Sequence, residues 1–201
     1  MTRRPLCAFG GLALLVSIAV TEGCSSTAAL DVRYPDAGAN PSLLASLPPR
    51  RVDVAAVADR RNDTARIGAT SKSGKTIVTT RSVPDIVRDA LVLEVVKNGH
   101  AVGTGRPEAM IQAEVNDFSL DDVDGFSFTQ YVGRVVIGVT VADARSGQRL
   151  LSRHYVGIKR HRVEKASEDA GRNVMDAALA RALHDFATDP EMVAVLARVG
   201  G

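Results

Sequence analysis

Between residues 108 and 163 the chain alternates apolar and polar side chains with little interruption. "EAMIQAEVNDF" (108–118) puts Ala109, Ile111, Ala113 and Val115 on one face. "FSFTQYVGRVVIGVTVADA" (126–144) does the same with Val135, Ile137, Val139 and Val141, and "RLLSRHYVGIKRHRV" (149–163) follows. A period of two belongs to a half-buried strand, because successive side chains point to opposite faces of a sheet. "LDDVDG" (120–125) and "RSGQ" between the second and third runs carry the Asp, Gly and Ser of tight turns. Three long strands joined by two turns make an antiparallel meander, with Gly133 marking a bulge. The apolar face of that meander needs a cover.

Two helices can supply it. In "SVPDIVRDALVLEVVKNG" Ser82 caps, Pro84 sits in the first turn and Gly99 ends the helix. Ile86, Val87, Ala90, Leu91, Val95 and Val96 recur at helical spacing as one apolar face. Ser167 caps a longer helix to about Thr188, with Ala170, Val174, Ala178, Ala182 and Phe186 on one stripe and Met175, Leu179 and Leu183 beside it. Asp189-Pro190 opens a short final helix. Upstream, "VDVAAVA" (52–58) reads as a short buried strand. Residues 59–75 read as a polar loop with a small hairpin closing into "TIVTT" (76–80). The order β-α-β-β-β-α predicts an α+β fold: an antiparallel sheet with two main helices packed on one face, plus a short C-terminal helix.

The first residues point to a destination. Arg3 and Arg4 precede the apolar stretch Leu6–Val20. That stretch is shorter than the ~20 residues of a membrane-crossing helix, which leaves a transmembrane anchor as the second choice, and it suits the core of a secretory signal peptide. In "VTEGC" the pair Gly23-Cys24 fits the end of a bacterial lipoprotein signal, while Thr21 and Glu22 depart from it. Ordinary cleavage near "SSTAA" is the alternative. The expected organisation is a signal peptide over 1–23, a lipidated N-terminus and flexible tether over 24–50, and one periplasmic α+β domain over 51–201. The tether reading rests on the Ala, Ser and Pro of residues 25–50, a length that spans roughly 25–30 Å as coil. The chain has 2 cysteines. Cys7 leaves with the signal, so a lipid on Cys24 leaves no thiol for a disulfide, a zinc site or a nucleophile. Two or more acyl chains hold a protein stably at a bilayer. Ser25 and Ser26 lack the aspartate that retains enteric lipoproteins in the inner membrane, which favours the periplasmic face of the outer membrane.

Composition excludes several classes. The net charge is +2 and tryptophan is absent. That is no footprint for nucleic acid and no stacking platform for bases or sugars. "ATSKSGKT" (69–76) imitates a phosphate-binding loop, but "IVTT" follows where a helix must begin, so no nucleotide site is expected. "DDVDG" (121–125) imitates a calcium loop, yet aligning Gly125 puts Leu120 and Tyr131 at ligand positions, and a turn is the plainer reading. His100, His154, His161 and His184 are scattered without metal-ligand spacing. Phe126, Phe128 and Tyr131 flank the first turn of the meander, where they stabilise a hairpin or form an exposed aromatic tip. "KRHR" supplies Lys159, Arg160 and Arg162, either a charged strand end that blocks edge pairing or a contact for anionic lipid. Asp59, Arg60 and Arg61 can order the loop by a local ion pair, and Arg60 and Arg61 are candidate ligand or partner contacts.

The strand ending "VADRR", the "IG" at 67–68, the "SVPDIVRDALVLEVVKNGH" helix, "HYVG" and "ALARALHDFATDPEM" occur in an order that resembles the YajG family of envelope lipoproteins, over residues 52 to about 195. The resemblance implies a lipoprotein without established enzymatic activity, so no catalytic residues or cofactor carry over. The expectation is a non-enzymatic accessory or binding module of the cell envelope, held to the membrane through Cys24 and working with an envelope protein partner. Two rivals stand beside it. One is a periplasmic hydrolase with a site near Asp59, Arg60 and the 60–75 loop; the other is a lipid-binding accessory to an envelope transporter.

Overall fold

The computed structural model describes residues 27–35, 42–103 and 105–199. In chain order the strands are β1 (Thr27–Leu30), β2 (Arg51–Val54), β3 (Ala58–Asp59), β4 (Gly68–Ala69), β5 (Thr76–Thr79), β6 (Ala101–Val102), β7 (Ala109–Asp124), β8 (Thr129–Asp143) and β9 (Arg149–Val163). The helices are α1 (Val83–Lys97), α2 (Glu168–Thr188) and α3 (Pro190–Arg198), with a 3-10 turn at Leu43–Ser46.

The chain is a mixed α+β protein. The main sheet runs β6-β2-β7-β8-β9, with β3 also pairing β7, and a small sheet runs β1-β5-β4. The meander β7-β8-β9 is antiparallel as expected. The rest corrects the antiparallel expectation. β2 lies parallel to β6 and to β7 (Val52 opposite Ala109), β3 lies parallel to β7, and β1 lies parallel to β5. α1, between β2 or β3 and the later strands, carries the chain back to start in the same direction, while β1 reaches β5 by way of β2, β3 and β4; apolar alternation reports a face, never a direction. The expected strand over 52–58 is also two pieces. β2 leaves β7 after Val54, and β3 rejoins it at Glu114.

The helix caps follow the sequence. Ser82 Oγ accepts from the Asp85 N–H and Ser167 Oγ from the Ala170 N–H. Both long helices cover the face carrying Ile111, Val115, Val135, Ile137, Val139 and Val141, all at most 1% exposed. On α1, Val96 turns out to solvent and Glu94 takes the buried position instead. The face at Met110, Gln112, Arg134, Val156 and Arg160 carries no helix, so β9 is both the sheet edge and open on that side.

Gly133 makes no bulge. The register slips in β7 between Val115 and Asp117, which moves the buried set from Val115 to Phe118 and Leu120. Gly133 and Gly157 instead admit α2. A Cβ at Gly133 would stand 2.8 Å from Val174 Cγ1, and one at Gly157 would stand 1.8 Å from the Ala178 carbonyl oxygen. The expected turn at 120–125 is strand to Asp124, and the chain reverses through Gly125–Phe128, where the Gly125 N–H donates to the Phe128 carbonyl.

Part of the segment read as a tether is built into the domain. β1 pairs with β5, and Ala28, Leu30, Val32 and Leu44 are buried. A polar knot on α1 holds this segment. Glu94, its side chain 2% exposed, takes the Lys97 ammonium at 2.6 Å, the Asn98 amide at 3.0 Å and the Tyr34 hydroxyl. Ser42 Oγ bonds Asn98 Oδ1. Burial, then the hydrogen bond to Glu94, pushes the Tyr34 phenol up to about 12. Ala, Ser and Pro composition hid this, because only a few apolar residues there do the anchoring.

Candidate functional site

Cys24 lies outside the described residues, three positions before β1 begins. Arg60 and Arg61, adjacent in sequence, do different things. The Arg61 side chain is 7% exposed and clamps Asp59 through Nε at 2.9 Å and a terminal nitrogen at 2.8 Å. Its remaining N–H groups donate to the carbonyls of Thr64 and Arg66. The Arg61 hydrogen bonds hold the Asp59 carboxyl below its ordinary range. Four of the five N–H donors of Arg61 are spent on Asp59 and on ordering the 60–67 loop, so its main role is structural. Arg60 is two-thirds exposed, with Nε 3.7 Å from a Glu114 carboxylate oxygen.

Lys159, Arg160 and Arg162 occupy the last third of β9, opposite Gly133, Val132 and Gln130 of β8. The Arg162 guanidinium lies 3.6 Å from the centroid of the Phe128 ring. Glu114, the partner of Arg60, sits opposite Gly138, six residues along β8 from Val132. At ~3.4 Å per residue that is about 20 Å. The two groups of candidate cations therefore do not form one patch.

Depressions on the surface are polar and broad. One of about 560 Å³ is walled by Arg61, Asp63, Arg66, Asn116, Asp117 and Asp121. Another, of about 420 Å³, lies on the helix-free face over Gly138, between Arg60, Glu114, Thr140, Ser152 and His154. The 60–75 loop expected to carry a hydrolase site walls the first; the second meets that expectation only at Arg60 but holds a serine and a histidine. In the second, Ser152 bonds Thr140 at 3.2 Å, and Asn116 of the first depression donates through Nδ2 to Glu114 at 3.3 Å while its Oδ1 atom has no partner. Among the described residues His154 makes no hydrogen bond to Ser152 or Glu114, so no nucleophile is joined to a base. Among the same residues no group of three His, Cys, Asp or Glu could hold a metal ion, and no helix is long and apolar enough to cross a membrane.

The phosphate-loop and calcium-loop look-alikes meet each other. The Ser71 N–H donates to Asp122 at 2.6 Å, Ser71 Oγ to Asp124 at 2.8 Å, and Lys72 lies 3.5 Å from Asp124. Residues 70–75 are the turn of the β4–β5 hairpin, so the apparent motif binds its own neighbour. Lowered by Thr129, then by Ser71 and Lys72, the Asp124 carboxyl stays ionised.

The buried roles of three polar groups escaped sequence reading. His100 is buried: its Nδ1 accepts from the Arg50 N–H at 3.2 Å, so Nε2 carries the proton and donates to the Leu44 carbonyl at 3.1 Å. Burial holds its pKa below the ordinary value. Asp189 caps α3 while accepting from Arg153 at 2.9 Å and from the Tyr155 hydroxyl at 2.8 Å, tying the α2–α3 corner to β9. Glu94 had a readable signal, since a carboxylate three residues after Leu91 falls on the apolar stripe of α1.

No family model matches this chain, and no curated protein matches it. Solved structures do. The crystal structure of protein XCC0632 from Xanthomonas campestris, a DUF330 protein, is 14% identical with a TM-score of 0.53, over 84% of this chain and 95% of that one. A protein from Caulobacter crescentus CB15 gives 12% and 0.46 over 78% of this chain and 94% of that one. The minor lipoprotein of Acinetobacter baumannii gives 11% and 0.39, over 69% and 92%. The likeness to XCC0632 is one of fold: this chain has the architecture of that DUF330 protein.

Proposed function

We propose that this chain is a non-enzymatic lipoprotein of the bacterial envelope, anchored by lipid on Cys24 at the periplasmic face of the outer membrane. There it serves as an accessory or binding module for an envelope protein partner, in the manner of the YajG-like proteins it resembles. The observation that carries the reading is where β1 begins. Cleavage near "SSTAA" would remove or split β1, whose Ala28 and Leu30 are buried and whose four residues pair with β5. Cleavage between Gly23 and Cys24 leaves β1 whole, with Cys24, Ser25 and Ser26 before it. The charged and apolar segments upstream of Gly23 fit the same cleavage. The unlinked Ser152 and His154 on the open face also favour a binding role over hydrolysis.

The test is the mass of the mature N-terminal peptide from the wild-type chain and from Cys24→Ala. A diacylglyceryl or triacyl mass on Cys24, lost in the variant together with membrane association, is expected. An unmodified terminus near Ala29 or Leu30 would overturn the reading.

A further inference from the structure

Several features converge on one end of the domain. β1 starts there, because Thr27 sits opposite Thr76 at the turn end of the β4–β5 hairpin. Lys75 of that turn reaches Glu168 at the start of α2, 3.1 Å away. Ser71 of the same turn bonds Asp122 and Asp124 at the end of β7. Asp124 faces Thr129, which faces Val163 at the end of β9. The β7–β8 turn and the basic end of β9 therefore share the end at which the chain enters the fold. The end of α1, β6 and the β8–β9 turn lie at the other.

Phe126, at the tip of the β7–β8 turn, is fully exposed, and nearby Val123 is 55% exposed. Phe128 and Tyr131, by contrast, are used: one lies under Arg162 and the other is buried. The charges at this end are also sorted. Asp124, Glu168 and Asp169 pair with Lys72, Lys75 and Arg172, while Asp122 accepts only the neutral Ser71 N–H. Asp121 and Glu164 have no ion-pair partner among the described residues, and neither do Lys159, Arg160, Arg162 and Lys165. Among these residues four unpaired cations, three on the last third of β9 and one just after it, thus stand against the three unpaired carboxylates Asp121, Asp122 and Glu164.

Three peptide units separate Cys24 from Thr27 and reach at most about 11 Å when extended. A lipid on Cys24 would therefore hold this end, and not the opposite one, at the bilayer. We infer that the domain rests on an anionic lipid surface through this end, with the Phe126 ring at headgroup depth and Lys159, Arg160, Arg162 and Lys165 against the lipid phosphates. Aromatic rings favour that depth and cations favour an anionic leaflet. The inference rests on the lipoprotein reading. It also replaces a domain swinging on a coil with one docked in a fixed orientation.

The chain contains no tryptophan, so Phe126→Trp introduces a single reporter, and Val96→Trp, exposed at the far end of α1, is its control. Each full-length protein is reconstituted into phosphatidylcholine vesicles with and without phosphatidylglycerol and headgroup-proximal doxyl lipid, and the N-terminal peptide mass is taken on the same sample. Expected for Phe126→Trp with acylated Cys24 are a blue-shifted emission and quenching by doxyl lipid, both stronger with phosphatidylglycerol, and neither for Val96→Trp. Adding Lys159→Glu and Arg160→Glu to Phe126→Trp should reduce the quenching. An acylated protein whose Phe126→Trp reporter is as red and unquenched as the control overturns the docking and leaves the lipoprotein reading intact. Quenching that ignores both phosphatidylglycerol and the two charge reversals overturns the electrostatic part. A Cys24 without lipid overturns both readings.

Discussion

Replacing Gly157 by alanine adds one methyl group where α2 lies directly on β9. That methyl would sit 1.8 Å from the Ala178 carbonyl oxygen and 2.8 Å from the Ala182 nitrogen, both backbone atoms of a continuous helix. Rotamer changes cannot relieve such a contact. α2 must retreat by roughly 1.5 Å to restore ordinary separation. The retreat loosens Val174, Met175, Leu179, Leu183 and Phe186, each at most 1% exposed. A gap of 0.5–1 Å already forfeits a quarter to a half of each dispersion contact, and overpacking costs ~1–3 kcal/mol where neighbours can yield. Here they cannot, so the expected loss is about 3–5 kcal/mol, a large share of the ~5–15 kcal/mol that holds a domain together. Gly138→Ala on β8 is the matched control. Its Cβ meets Glu114 Cγ at 3.0 Å and other side-chain atoms on the open face, which swing aside. It should change stability by under ~0.5 kcal/mol. Urea unfolding followed by circular dichroism reads both, as a fall in midpoint at unchanged slope for Gly157→Ala, with a drop in Tm of roughly 10 °C. If the two variants unfold within about 1 kcal/mol of each other, the close approach of α2 to β9 is wrong.

Glu94→Ala leaves Lys97, Asn98 and Tyr34 without their shared acceptor in a buried site; the expected cost is about 3 kcal/mol, with Glu94→Gln milder, and limited proteolysis should cut first within residues 30–47. His100 gives a pH signature. Its folded pKa lies below the ordinary 6.5 because of burial, so the unfolded chain binds its proton first, and stability is full above about pH 6.5 and falls as the pH drops below that value. Urea midpoints from pH 7.5 to 5 should show this slope in wild type and a flatter one in His100→Gln; equal slopes would contradict the buried neutral imidazole.

The C-terminal two-thirds of the fold was legible because its elements carry strong, uninterrupted periods. The α2 stripe, its Ser167 cap and the meander faces are read almost residue for residue. What was hidden depended on partners distant in sequence. The direction of β2 is set by pairing with β7, and the role of Gly133 by a helix that comes forty residues later. β1 is four residues, Thr-Ala-Ala-Leu, too short for a period to show, and its strand character exists only beside β5. Among candidate contacts, adjacency misled. Arg60 and Arg61 share a motif, yet Asp59 captures one and leaves the other at the surface. The exposed place of Phe126 was one of two readings for three neighbouring aromatics, and only the position of the actual turn separates it from Phe128 and Tyr131.

The parallel pairing of β2 with β7 also sets an order in time. Val52 waits for Ala109, and at 5–20 residues per second of synthesis that wait lasts roughly 3–11 s. β1 waits in the same way for β5, which is made before β7 begins. The chain after Ala109, by contrast, finds its neighbours within the next turn or two. The meander and α2 therefore find partners close in sequence, while β2 depends on a strand made much later. A chain delivered N-terminus first would lack the strand that pairs with β2 and the helix that covers the meander until its last hundred residues arrive, so truncations from the C-terminus should abolish the native state while those confined to the first strand should leave the meander and α2 able to form.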